Sequence, residues 1–296
     1  MRIVSVGEII WDIIGDKGYL GGAPLNFSMS ARRLGHDVAL VSGVGNDELG
    51  ERALQALKQA GVDVSAIEVN DRPTGRALVT LNEQGHATFE IPRPAAYDQL
   101  RKLREVGAAD WVYFGTLFNA LPENLKTTLA LLDRMGSSKR FYDVNLRTGH
   151  WHVGAVINLA QRATVTKLNH VEVRILALDL WGEETIAQNE FCRRWQQEYG
   201  CPVVCITCAE DGCAIYRDGQ FVEVCGYKVK VADTVGAGDA FAAAFLHGFE
   251  QGWELNKIGR FANAAGALVA SRAGANPEWS VEEVEALVAS APLASA

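Results

Sequence analysis

Several things are missing from this sequence, and each absence closes off a class of protein. No apolar run is long enough to span a bilayer. The most apolar opening stretch, MRIVSVGEIIWDII, is interrupted by Glu8 and Asp12 and reads as a buried strand, not a leader, so a cytoplasmic location and no membrane partner are expected. Positive charge is short: 28 Lys and Arg against 36 Asp and Glu leave a net charge of -8. That speaks against a general nucleic-acid surface and leaves room only for a local basic pocket. The dipeptide Gly-Lys occurs nowhere, which excludes a Walker A loop. No linker, repeat or low-complexity tract divides the 296 residues, so residues 1–296 are expected to form one main domain. Cysteine is present but poorly arranged for a metal. All six lie between Cys192 and Cys225, and the Cys205–Cys208 CxxC has no second pair to complete a ligand set. Small apolar residues on strands are the simpler reading.

What is present is a rhythm. RIVSVGEII is strand-like. APLNFSMSARRLG follows as a helix, with Pro24 near its start and Gly35 just past its end. DVALVSGVG is again a strand, and DELGERALQALKQAG places Leu49, Ala53, Leu57 and Ala60 on one helical face. Farther along, ADWVYFG, KRFYDVN, ATVTKLN and CPVVCIT are short apolar runs separated by helical stretches. The alternation predicts an α/β fold with a mainly parallel sheet covered by helices on both faces. Residues 73–92, PTGRALVTLNEQGHATFEIP, break the rhythm and read as an inserted β-hairpin turning at Asn82-Glu83-Gln84-Gly85. Such a hairpin serves as a lid, as an edge for pairing, or as decoration.

The stretch ADTVGAGDAF, residues 232–241, carries the chemistry. YKVKVADT before it alternates like a strand, and DAFAAAFLHGF after it places Phe241, Phe245 and Phe249 one turn apart. Gly236, Ala237 and Gly238 therefore lie where a helix emerges, with free backbone N–H groups, a favourable dipole and no side-chain bulk. That is a cradle for a phosphate group. It is not GxGxxG, because Phe241 replaces the third glycine. Asp239 at its mouth fits a base that takes a proton from an alcohol during phosphoryl transfer. It fits equally an N-cap aspartate after a glycine turn, which is the commoner occurrence.

DTVGAGDAF resembles the C-terminal signature of the ribokinase-like (PfkB) sugar kinases, and GGAPLNFSMSARRLG resembles their other signature. GEIIWD, SGVGNDELG, YDVNLR, KLNHVEV and FANAAGALVASRAGA fall in the family's order, so the resemblance covers essentially the whole chain. GEIIWD, GGAP and DVNLR are most similar to the fructokinase-like branch. The resemblance implies a ribokinase-like three-layer sandwich with the small hairpin as a lid, ATP and Mg2+ as cofactors, and a homodimer.

It also implies roles. Asp239 would be the base, with the backbone N–H groups of Gly236, Ala237 and Gly238 as the anion hole. Asn169 and Glu172 match the family's NxxE motif, which organises magnesium and phosphate largely through water; a helix-capping pattern competes for Asn169. Lys167 is within reach of phosphate, although a lysine at a strand end is usually only solvated. Thr207 and Gly212 match a nucleotide-side TxGxxG motif, from which TCAEDG departs at Ala209. Asn263 matches a position near the adenine ring and has a structural alternative. Asp12, Gly22 and Asn26 match sugar contacts; without the resemblance they read as a strand-end acid, a turn glycine and a first-turn amide. Arg147 matches an arginine near the sugar, in a loop held by Asp143 and Asn145. Asp233 resembles the acid of a potassium loop whose other wall is RAGAN, residues 272–276.

The substrate implied is a small sugar, and fructose is the first choice. Around GEIIWDIIGDKGYLGGAPLN the available groups are Asp12, Asp16 and Asn26, with only Lys17 as a cation. A buried sugar carboxylate needs a paired cation. A 2-keto-3-deoxygluconate kinase, with Arg147 taking the carboxylate, is the second reading. A non-catalytic sugar-binding protein on the same fold is the third.

Overall fold

The computed structural model describes residues 1–15, 17–81, 87–100 and 104–290. Asp16 and the expected hairpin turn at 82–85 lie outside the described residues. The strands are β1 (Arg2–Val6), β2 (Ile10–Ile14), β3 (Lys17–Gly21), β4 (Asp37–Gly45), β5 (Ile67–Asn70), β6 (Gly75–Leu81), β7 (Ala87–Glu90), β8 (Trp111–Gly115), β9 (Lys139–Asp143), β10 (Val165–Asn169), β11 (Val203–Thr207), β12 (Cys213–Arg217) and β13 (Gln220–Val224). The helices are α1 (Ala23–Arg33), α2 (Glu48–Gln59), α3 (Thr116–Asn119), α4 (Pro122–Arg134), α5 (Val153–Ala160), α6 (His170–Trp181), α7 (Gln188–Tyr199), α8 (Ala237–Glu250), α9 (Leu255–Ala270) and α10 (Val281–Ser290).

Nine strands make one sheet in the order β13-β12-β11-β10-β9-β8-β1-β4-β5. Every neighbouring pair from β5 to β11 is parallel, and β12 and β13 close one edge antiparallel. Successive side chains on a strand point to opposite faces, and both faces here are covered. On one face Val112, Phe114 and Tyr142 pack with Leu131, Val156, Leu176 and Trp195 of α4 to α7. On the other, Trp111, Tyr113 and Phe141 pack with Phe27 of α1, Phe241 and Phe245 of α8, and Phe261 of α9. The expected ladder of Phe241, Phe245 and Phe249 is present, with successive ring centroids 6.2 and 6.3 Å apart. These are the three layers that the sequence predicts.

A second, four-stranded sheet has the order β3-β2-β6-β7. β6 and β7 pair antiparallel within the segment read as a hairpin. A second hairpin, β2 with β3, joins it through a parallel β2–β6 pairing. The sequence reading missed β3, because KGYLG carries two glycines and shows no apolar alternation. RIVSVGEII is two strands, not one. The chain breaks at Gly7, whose φ is 153° and where a Cβ would lie 2.4 Å from Cγ of Pro24. YKVKVADT is not a strand either. It alternates in sequence but finds no ladder, and the N–H groups of Ala232 and Asp233 donate to the carbonyl of Ala270 instead.

Candidate active site

In the large sheet, β1 lies between β4 and β8, so strand order reverses there, the point beyond whose strand carboxyl ends open α/β sheets bind their ligands. Asp143 ends β9, Asn169 ends β10 and Thr207 ends β11. The N-terminus of α8 stands beside them. Gly236 caps α8 in the left-handed region, φ 79°, and a Cβ there would lie 2.0 Å from the carbonyl oxygen of Ala275. Only glycine lets the 234–238 loop pack so closely on the 272–276 loop. A Cβ on Gly238 would meet a single group within 4 Å, Nζ of Lys167 at 3.6 Å. A helix N-terminus with open space in front and an ammonium beside it suits a phosphoryl group.

Asp239 follows in the first turn and is buried, its Oδ2 accepting from Nδ2 of Asn26 at 2.8 Å. Burial, reinforced by the nearby Asp143, pushes its carboxyl up to about 7, against the lowering pull of Asn26, Lys167 and Arg147. Lys167 is not solvated: its buried Nζ donates to both carboxylate oxygens of Asp143, at 2.9 and 3.0 Å, and Tyr113 Oη donates to the same carboxylate at 3.0 Å. Burial alone would lower the Lys167 ammonium, but Asp143 outweighs it and the net shift is upward, so Lys167 stays charged.

On the other side of Asp239, β2 and α1 bring Asp12 and Asn26 together across Gly21. A Cβ on Gly21 would lie 3.3 Å from Oδ2 of Asp12 and 3.9 Å from Oδ1 of Asn26. Gly22 has φ 108°, and a Cβ there would lie 2.6 Å from the carbonyl of Glu8. Tyr19 of β3 and Ala77 of β6 flank Asp12 in register. Partial burial raises the Asp12 carboxyl, opposed by Arg147. Arg147 is exposed, and its Nη1 donates to Oδ1 of Asn145 at 2.7 Å and to the carbonyl of Leu146 at 3.2 Å. The Arg147 guanidinium helps stabilise the charged forms of Glu8, Asp12 and Asp239, with Arg93 also acting on Glu8 and Lys167 acting more strongly on Asp239.

Other expected residues turn toward the backbone. Asn169 Oδ1 accepts from the N–H groups of Val171 and Glu172 at 2.9 Å each, and Glu172 Oε2 accepts from Asn169 N at 2.8 Å. NxxE is thus a complete capping box. Glu172 Oε1 also takes Leu146 N at 2.7 Å, tying α6 to the DVNLR loop. With these oxygens engaged, the pair fits a magnesium ion only through water. Thr207 Oγ1 is 3.5 Å from the carbonyl of Leu168. Gly212 has φ 104° and lets its backbone pass where a Cβ would lie 2.1 Å from the carbonyl of Val224. Ala209, in the departed glycine position, still adopts φ 51°. Asn263 Nδ2 donates to the carbonyls of Val224 and Cys225 at 3.1 Å each and so holds one wall of a cleft of about 500 Å3 lined by Gln188, Cys208, Asp211, Val224 and Cys225. Cys205 is buried on β11, and Cys208 accepts from Gln188 Nε2 at 3.3 Å. Asp233 accepts from Val235 N at 3.0 Å and from Gly274 N at 3.2 Å, which joins it to the 272–276 loop as expected.

Sequence reasoning missed two groups. Asn276 Nδ2 donates to Asn26 Oδ1 at 2.6 Å. Glu8 is buried, and desolvation pushes its carboxyl up to about 7. Only the acid in an apolar run hinted at Glu8, and Asn276, the last residue of RAGAN, was read only as the wall of a cation loop, with nothing to mark its reach to Asn26.

A family model described as pfkB family carbohydrate kinase matches residues 3–281. Fructokinase-1 of Oryza sativa is 29% identical, the match covering 98% of this chain and 98% of that one. The 5-dehydro-2-deoxygluconokinase of Clostridium tetani is 27% identical, over 91% of this chain and 84% of its own. Among solved structures, fructokinase from Vibrio cholerae in its fructose, ADP and calcium bound form superposes with a TM-score of 0.84, covering 97% of this chain and 98% of that one at 23% identity, a likeness of fold. A match running from β1 to the first residue of α10, on a fold shared with sugar kinases, makes this chain a member of the pfkB family of carbohydrate kinases and a sugar phosphotransferase.

Proposed function

We propose that this protein transfers the γ-phosphoryl group of ATP to a hydroxyl of a neutral sugar, with fructose as the substrate. The observation that carries the reading is Asp239: a buried carboxyl poised near neutrality at the mouth of an open helix N-terminus beside the Lys167 ammonium. Asp239 takes the proton from the attacking hydroxyl. The N–H groups of Gly236, Ala237 and Gly238, with Lys167, hold the transferring phosphoryl group where its charge develops. The nucleotide lies along the Thr207, Gly212 and Asn263 side, in the cleft beside Cys225. Asn169 and Glu172 would hold a magnesium ion through water, and that ion would neutralise phosphate charge. Asp233 and the 272–276 loop would hold a potassium ion if one binds.

The sugar sits between Asp12, Asn26 and Gly22, under the small sheet that carries Asp12 and acts as the lid. Arg147 decides between substrates. It is the one cation that stabilises the charged form of Asp12 and is shared with Glu8 and Asp239, so a sugar carboxylate would enter beside Asp12 for a share of one guanidinium. Hydroxyls have no such cost and suit a carboxylate and an amide. The rice relative is named a fructokinase, which supports this reading. The second reading is a kinase for an acidic deoxy sugar, favoured by the C. tetani relative's name and by an Arg147 exposed enough to swing.

Steady-state kcat/KM with ATP across a sugar panel tests both. Fructose is expected to exceed 2-keto-3-deoxygluconate by about tenfold or more, the scale on which hydrogen-bonding sites discriminate. The reverse preference would make Arg147 the carboxylate site. No turnover of any sugar would favour a binding protein.

A further inference from the structure

Two amides and a carboxylate stand in a row through the site. Asn276 Nδ2 donates to Asn26 Oδ1 at 2.6 Å, and Asn26 Nδ2 donates to Asp239 Oδ2 at 2.8 Å. An ionised carboxylate only accepts, so the nitrogen end of the Asn26 amide must face Asp239 and its oxygen must find a donor elsewhere. Asn276 supplies that donor from 250 residues away in the chain.

The place of Asn276 is fixed without help from Asn26. Ala275, just before it, backs the Gly236 turn; Gly274 N donates to Asp233; and Arg33 Nη2 reaches the Asn276 carbonyl at 3.4 Å. Among the described residues the side-chain oxygen of Asn276 is buried and has no hydrogen-bond partner. Turning the Asn276 amide over would set two carbonyl oxygens face to face, so its sense is locked to that of Asn26. We propose that Asn276 is a positioning residue that fixes the rotation of the Asn26 amide, so that its N–H and not its carbonyl meets Asp239. This rests on the reading of Asp239 as the base.

The groups facing Asp239 are Asn26 from α1, Tyr113 from β8, Asp143 from β9, Arg147 from the loop after β9 and Lys167 from β10. Asn276 adds no charge to this set and acts through Asn26. Without its donor, the Asn26 amide is free to turn over, and Asp239 loses a hydrogen bond that favours its ionised form. Asn276→Asp goes further: a carboxylate at 276 draws the Asn26 nitrogen to itself and leaves oxygen opposite oxygen at Asp239.

The test is the titration of Asp239 by carboxyl carbon NMR on Asp-labelled protein, the signal being assigned by its loss in Asp239→Asn. It needs no substrate. Asn276→Ala is expected to raise the midpoint by about one unit, the worth of one hydrogen bond to a charged group. Asn276→Asp, nearly isosteric and so the safer fold, is expected to raise it more. In an Asn26→Ala background, Asn276→Ala is expected to move nothing, because the two act as a unit. In turnover, Asn276→Ala should shift the acid limb of kcat upward with KM for ATP unchanged. An unmoved midpoint in both variants, or a shift that survives in the Asn26→Ala background, would overturn the proposal. Near-normal turnover by Asp239→Asn would instead remove the base reading, whatever the titration shows.

Discussion

A base must be ionised to accept a proton, so the Asp239 carboxyl, held up at about 7, writes itself into the pH profile. Below that value kcat/KM for the sugar is expected to fall by about tenfold per pH unit, and above it to level off. A profile flat from pH 5 to 8 would place the base elsewhere. Asp239→Asn should lower kcat by about a hundredfold or more while leaving the fold intact, since amide and carboxyl share a shape. Ala209 makes a different forecast. Its φ of 51° suits glycine, and an L side chain there costs about 1 kcal/mol. Ala209→Gly is therefore expected to raise the denaturant midpoint, and a lowered midpoint would show that the methyl group packs better than the strain costs. The anion loop was legible in the sequence because its chemistry is local: two glycines, an alanine and an acid at a helix start. The Lys167–Asp143 pair was not, because its members lie 24 residues apart and meet only across adjacent strands.

Elements explain the other misreadings. NxxE in KLNHVEV reads as a capping pattern and, by resemblance, as a phosphate-side motif in the same letters, and only the structure shows the Glu172 oxygens on the backbone N–H groups of Asn169 and Leu146. The small sheet was half visible: β6 and β7 alternate, whereas β3 exists because β2 offers it a ladder. A contact between α8 and the residue after Gly35 has consequences of its own. His36 Nε2 and His247 Nδ1 lie 2.9 Å apart, and burial lowers both imidazoles, His36 to about 4. The unfolded chain binds protons more readily than the folded one between about 6.5 and 4, so this pair stabilises fully above 6.5 and loses its contribution as pH falls toward 4. Glu8 and Asp239 act in the opposite sense, because their raised carboxyls favour the folded state as pH falls from 7. The difference between wild type and His36→Gln separates the two. The wild-type advantage in thermal midpoint is expected to shrink from pH 7 to pH 4, and a constant difference would deny the linkage.

At the scale of the molecule, the small sheet has two strands, β3 and β7, each with one side unpaired among the described residues. Open strand edges invite a partner, and Tyr19 on β3 is 40% exposed. We propose a homodimer formed through this sheet. Light scattering at micromolar concentration is expected to give twice the chain mass, and a proline placed in β3 should return the monomer; a monomeric wild type would refute the pairing.

The row from Asn276 through Asn26 to Asp239 also bears on how the molecule comes into being. Asn26 belongs to the first helix made, while its two partners are synthesised 213 and 250 residues later. Contacts so distant in sequence close late, after the loops between them have lost their freedom. The large parallel sheet can assemble strand by strand as the chain emerges, yet Asp239 cannot meet Asn26 until residue 239 has been made. On the proposed reading of Asp239 as the base, competence to phosphorylate therefore waits until residues 239 and 276 have been made and have joined Asn26.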